Sequence, residues 1–213
     1  MIGALVPVKS LSSVKSRLLP RLGRPSLERL AIAMLGDVLE TLQRVRGLDR
    51  IAVATPDPRL AEVARDAGVE VLSASVAGLN PAVEDACALL APTPDDAALV
   101  LLGDVAGAQA EDIEVLLEAR PLRGVVLAPS NDGGTSALLR SPRNIISAAF
   151  GPDSARAHRN LAAVAGVAFE SIALPSLAID IDEQKDIEEF ANTATAESRT
   201  RALLRELLPD FPP

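Results

Sequence analysis

The chain has no tryptophan, no tyrosine and only four phenylalanines among its 213 residues. It therefore lacks the aromatic platforms on which single-strand binders stack bases. A formal net charge of -8 also removes the broad positive field that holds nucleic acid. There is one cysteine, Cys87, and one histidine, His158, so no internal disulfide can form. A single histidine and a single cysteine argue against a thiolate zinc site and against triad chemistry. Cys87 reads as a small buried residue on a helix. Long apolar runs are absent as well. Hydrophobic residues make up 48% of the chain, but the longest strongly apolar stretch, Ala97 to Leu102, is far below the roughly 20 residues a bilayer requires. Met1 to Val8 carries neither a preceding basic segment nor a following small-residue cleavage site. These absences point to a soluble, cytoplasmic protein with neither membrane nor nucleic acid as a partner, and the lone thiol agrees with a reducing compartment.

What is present is an alternation of strands and helices. Ile2 to Val8 reads as a buried strand. Ser26 reads as the N-cap of a helix through about Arg46, with Leu30, Met34, Leu35, Val38 and Leu42 on one stripe. Strands follow at Ile51 to Ala54, Val69 to Leu72, Ala98 to Leu102, Val125 to Ala128, Ser136 to Leu139, Ala168 to Ala173 and Leu177 to Ile181. Between them lie helices at about Arg59 to Ala67, up to Leu90, Asp112 to Ala119 and Ala155 to Ala165. A further helix starts at Glu183, and one more lies near the C-terminus. No linker, repeat or low-complexity tract interrupts this order. The expectation is one α/β domain over residues 1–213 with a mostly parallel central sheet flanked by helices. Ligands of such sheets bind at the carboxyl ends of the strands, near a switch in strand order.

Three strand exits carry unusual polar groups. The first follows Val8. Lys9, Lys15, Arg17, Arg21 and Arg24 all precede the first acidic residue, Glu28. A loop of this kind either surrounds a triphosphate or is a solvated basic face. It holds no glycine before Gly23, so it is neither a Walker A loop nor a dinucleotide fingerprint. The second exit is Gly103-Asp104, where the carboxylate could hold a metal or cap the next segment. The third is Asp180-Ile-Asp182. On a strand these two carboxylates share one face and repel unless a cation lies between them; alternatively Asp182 caps the following helix. Magnesium needs only one or two carboxylates, with water and phosphate oxygens completing its shell. Two more segments read as anion pockets: the turn Asn131-Asp-Gly-Gly-Thr-Ser136, and Phe150-Gly-Pro-Asp-Ser154 ahead of a helix. Ser154 could equally be a simple N-cap, and His158 reads as a surface or supporting residue.

Taken in order, these segments resemble the guanylyltransferase family that activates phosphoenolpyruvate, 2-phospholactate or 3-phosphoglycerate for deazaflavin coenzyme biosynthesis. The matches are Pro7-Val-Lys9 with Lys15-Ser-Arg-Leu18, Leu79-Asn80, Gly103-Asp104, Gly134-Thr-Ser-Ala-Leu138, Phe150-Gly-Pro-Asp-Ser154 with His158, and Asp180-Ile-Asp182. The resemblance implies a Rossmann-like nucleotidyltransferase fold and transfer of GMP from GTP to the phosphate of a three-carbon acid. It implies Thr135, Gly151 and Ser154 at the acid, with Asp104, Asp180 and Asp182 around Mg2+. It also implies Lys9, Lys15, Arg17 and Asp104 as the catalytic set. Asn80 is a candidate near the base or ribose. The chain departs from the family's habit after Asp104, where Val105-Ala-Gly-Ala-Gln109 replaces a Leu-Pro-Leu-Leu-like run, and at Asp132-Gly-Gly-Thr135, where Gly-Thr-Gly-Thr is usual. A homodimer is the commonest assembly for such a chain. Two alternatives stay open at this level: a nucleotidyltransferase for another sugar or cofactor phosphate, and a non-catalytic nucleotide-binding relative.

Overall fold

The computed structural model describes residues 1–13, 16–72, 78–193 and 197–212. Strand β1 (Ile2–Pro7) leads through two short 3-10 turns into helix α1 (Leu19–Arg44). Then come β2 (Arg50–Ala54), α2 (Pro58–Asp66), β3 (Glu70–Leu72), α3 (Leu79–Leu90), β4 (Ala97–Leu101) and α4 (Ala110–Glu118). The second half holds β5 (Gly124–Pro129), β6 (Thr135–Ser141), α5 (Ser154–Ala165), β7 (Ala168–Ser171), α6 (Gln184–Ala191) and α7 (Arg199–Leu207).

Among the described residues the strands form one seven-stranded sheet in the order β3-β2-β1-β4-β6-β5-β7. All neighbours are parallel except β6, which runs antiparallel to both β4 and β5. Side chains alternate across the strands, and both faces are dry. Ala4, Val6, Leu99 and Leu101 pack under α1, α4, α6 and α7 on one face. Leu5, Ala98, Val100 and Leu138 pack under α3 and α5 on the other. The apolar stripe of α1 expected from its periodicity is buried throughout, from Leu30 to Leu42.

Three sequence expectations are corrected here. Helix α1 begins at Leu19 rather than after Ser26. Gly23 takes φ 70, a left-handed value open to glycine, and kinks the helix ahead of Pro25. No strand forms over Leu177 to Ile181: Pro175–Leu177 is a 3-10 turn followed by irregular backbone. The two aspartates there therefore do not share a face by strand alternation. The helix caps also differ. Asp153 rather than Ser154 precedes α5. Glu183 rather than Asp182 caps α6, in a reciprocal box with Asp186.

Close packing of α3 on β1 depends on a missing side chain. A Cβ at Gly3 would lie 2.5 Å from Cγ of the fully buried Leu90. Gly3→Ala is expected to cost about 1–3 kcal/mol by overpacking, read as a lower urea midpoint with an unchanged slope.

Candidate active site

The strand order reverses at the β1/β4 boundary, so the loops leaving these strands diverge and open a crevice. Three further contacts draw other segments to the same edge. Leu102 N donates to Ser136 O at 3.0 Å, fixing the start of β6 beside the end of β4. Asn131 N donates to Ala178 O at 2.8 Å, and Ile181 N donates to Asp104 O at 3.2 Å. The irregular segment 178–182 is thereby stitched between the β4 exit and the β5–β6 turn. Asp104, Asp180 and Asp182 thus belong to adjoining backbone, although among the described residues no three carboxylate, imidazole or thiol groups form a ready metal cage.

The basic loop meets this acidic segment. Arg17 Nη1 lies 2.6 Å from Glu183 Oε1 and 3.5 Å from Asp182 Oδ2. Lys9 is exposed just beyond β1, and Lys15 lies outside the described residues. A cleft of about 230 Å³ is bordered by Arg17, Asn131, Asp132, Asp180, Asp182 and Lys185, among others. Asp132 orders the glycine turn within it: Ser130 Oγ and Gly134 N donate to its Oδ1 at 2.5 and 2.9 Å. The Ser130 bond is the largest cause of a lowered Asp132 pKa, so this carboxyl remains charged.

Thr135, Ser154 and His158 form a second, drier cluster at the same edge. Ser154 Oγ donates to Thr135 Oγ1 at 2.9 Å, and Thr135 Oγ1 lies 3.1 Å from His158 Nδ1. Gly151, one turn earlier, takes φ +139 and leaves open space where a Cβ would stand. No side chain caps α5 among the described residues; backbone carbonyls take its first N-H groups instead, Ser154 N donating to Gly151 O at 3.2 Å and Ala155 N to Gly133 O at 3.3 Å. Asn80 spends its carboxamide on structure: Phe150 N donates to Oδ1 at 2.7 Å, and Nδ2 donates to Phe150 O at 3.0 Å.

His158 is fully buried, not on the surface. Burial first, and then the Arg140 charge, hold its pKa down at about 4, against a weaker opposing pull from the Ser154 carbonyl. The unfolded chain binds the extra proton near pH 6.5 and the folded chain only near 4. Between these values the unfolded state is the more protonated, so stability rises with pH. The contribution is complete above 6.5 and is lost as pH falls toward 4. Comparing urea unfolding of the wild type with His158→Leu at pH 7 and pH 4.5 should reveal about 2 kcal/mol of extra acid sensitivity in the wild type.

Two charged residues escaped the sequence reading, Glu84 on α3 and Arg140, the latter at the other end of β6 from Thr135. Arg140 Nη1 donates to Glu84 Oε1 at 2.6 Å and to Ile146 O at 2.9 Å, and Ala148 N donates to the same Glu84 oxygen at 2.5 Å. The available signal was a charged residue at the end of the apolar run Ala137-Leu-Leu139. Cys87, buried on α3 as expected, lies on the same face. Burial pushes its thiol pKa up, and the Arg140 charge only partly opposes this.

Comparison with known proteins agrees with this geometry. By fold, the chain is similar to a nucleotide-diphospho-sugar transferase structure from Desulfovibrio desulfuricans, with TM-score 0.80 at 18% identity over 96% of this chain and 94% of that one. It is also similar to a cytidylyltransferase from Leptospira borgpetersenii, with TM-score 0.61 at 13% identity over 98% and 94%. By sequence it is 34% identical to a phosphoenolpyruvate guanylyltransferase from Sphaerobacter thermophilus, covering 90% of this chain and 93% of the relative. It is 32% identical to a 3-phospho-D-glycerate guanylyltransferase from Colwellia psychrerythraea, covering 88% and 90%. Among the described residues no helix is long and apolar enough to cross a membrane. The profile of the family described as "Guanylyl transferase CofC like" matches residues 2–210, and the chain belongs to that family of nucleotidyltransferases.

Proposed function

We propose that the chain transfers the guanylyl group of GTP to the phosphate of a phosphorylated three-carbon acid, with phosphoenolpyruvate as the first choice of acceptor. The observation that carries the proposal is the meeting of a cationic loop, an acidic segment and the Thr135-Ser154 hydroxyl pair at one sheet edge. The printed names of the relatives supply the nucleotide and the acceptor class.

In the reaction an acceptor phosphate oxygen forms a bond to the α-phosphorus of GTP. The bond from that phosphorus to the bridging β-oxygen breaks, and pyrophosphate leaves. Both reactants are anions, so the protein's work is alignment and neutralisation of charge. Lys9, Lys15 and Arg17 take the triphosphate, with Arg17 exchanging Glu183 and Asp182 for phosphate oxygens. Gly151, Thr135 and Ser154, around the start of α5, take the acid. Asp104, Asp180 and Asp182 offer only oxygen donors, which suits magnesium, an ion that keeps waters and binds through few carboxylates. When bound there it would neutralise the triphosphate and polarise the α-phosphoryl group. Asn80 acts through the backbone it holds.

The test is pyrophosphate release from GTP with magnesium, offering phosphoenolpyruvate, 2-phospholactate and 3-phosphoglycerate in parallel with a no-acceptor control. Release that depends on one acid supports the assignment. Silence with all three, from protein that binds GTP, would overturn it.

A further inference from the structure

The chain's single histidine lies one helical turn beyond Ser154, on the same face of α5. Ala149 N donates to His158 Nε2 at 2.9 Å, so that nitrogen must present a lone pair. A neutral imidazole then carries its proton on Nδ1. Thr135 Oγ1, 3.1 Å from Nδ1, can only accept from it.

Counting protons gives a consequence for the neighbouring hydroxyls. Thr135 and Ser154 bring two protons, and the 2.9 Å bond between them uses one. The imidazole cannot take the other, because Nδ1 already bears hydrogen. Whichever way the hydroxyl-hydroxyl bond runs, one O-H is left over. The two residues are 2% and 1% exposed, and no protein acceptor among the described residues takes that proton. With the opposite tautomer the spare proton would be spent on Nδ1, and the pair would offer only lone pairs, which repel an anion.

We propose that His158 is a positioning residue: its Nδ1-H tautomer sets the hydroxyl pair Thr135-Ser154 to donate one O-H to an anionic oxygen of the acceptor acid. The proposal rests on the reading that these hydroxyls border the acceptor. The tautomer itself is built into the fold. The Ala149-Phe150 backbone is clamped from both sides by Asn80, and the Phe150 ring meets the imidazole edge-on at a 5.2 Å centroid distance. Ala149 N-H therefore has a fixed direction, and the ring is shielded from water that could reverse its protonation.

The experiment begins with the wild-type chain labelled with 15N-histidine, which yields one set of ring signals. At pH 7, Nδ1 should show the shift of a protonated nitrogen and Nε2 that of an unprotonated one, and titration with phosphoenolpyruvate alone should move Nδ1. The reverse tautomer overturns the proposal. Next, acceptor and GTP kinetics are compared for His158→Leu and His158→Asn, whose Nδ2 can stand in for Nδ1-H. Leu should raise the acceptor KM about tenfold or more, the worth of one hydrogen bond to a charged group. The GTP KM should stay within about twofold, and Asn should recover most of the loss. Equal losses in Leu and Asn, or parallel changes in both KM values, would reduce His158 to packing and end the proposal. If the wild type transfers to no acid, the functional reading fails. The ring signals still decide the tautomer, and no response to the phosphoacid refutes its role.

Discussion

Asp104→Asn should lower guanylyl transfer by about 10²-fold or more, the scale of losing one preorganised electrostatic contact at a reacting phosphoryl group. The position explains the size. Asp104 leaves β4 immediately beyond the strand-order reversal, where the β1 loop leaves in the opposite sense. Gly103 lets the two exits close up, since a Cβ there would lie 2.9 Å from Val8 Cγ2. The backbone carbonyl of Asp104, which the substitution leaves in place, accepts from Ile181 N and keeps Asp180 and Asp182 alongside. The asparagine side chain has nearly the same shape but no charge, so the loss should fall on turnover and on the magnesium requirement rather than on folding. Steady-state rates at saturating magnesium, with circular dichroism to check the fold, provide the measurement. Wild-type turnover in the variant would mean that Asp104 holds no part of the reacting charge.

The architecture was legible because its signals are redundant. Ala97 to Leu101 is apolar on both faces and could only be a central strand. The α1 stripe repeats over several turns, so an error of eight residues at its start did not displace the core. Segments whose conformation depends on distant partners were not legible in the same way. Asp180-Ile-Asp182 alternates like a strand, yet Ile181 N donates to Asp104 O, Asp182 N donates to Asp186 Oδ2, and the neighbouring Ala178 O accepts from Asn131 N. Tertiary stitching displaced the periodicity there. His158 shows a further limit: its spacing from Ser154 was visible, but its ring partners Thr135 and Ala149 lie 23 and 9 residues away, which no local pattern connects. Asn80, in the matched pair Leu79-Asn80, was a candidate near the base or ribose. In the fold it holds Phe150, 70 residues away.

Glu84→Ala should destabilise the protein by about 3 kcal/mol, the lower end of the range for breaking a buried ion pair. Arg140 has no exposed side-chain surface, whereas Glu84 retains 35%. Removing the carboxylate strands a guanidinium whose Nε and Nη2 already lack hydrogen-bond partners among the described residues. It also strips Ala148 N of its acceptor, leaving Ile146 O as the only remaining oxygen contact of Arg140 among the described residues. Replacing both groups, as Glu84→Ala with Arg140→Met, should return a large part of the loss, because an apolar pair leaves no uncompensated charge against the sheet. The double-mutant cycle is read from urea midpoints at pH 7. Additive losses would show that the two residues stabilise the fold independently. A recovery in stability without recovery of acceptor KM would separate two roles of the same clamp: neutralising Arg140, and holding the 146–150 backbone on which the His158 tautomer depends.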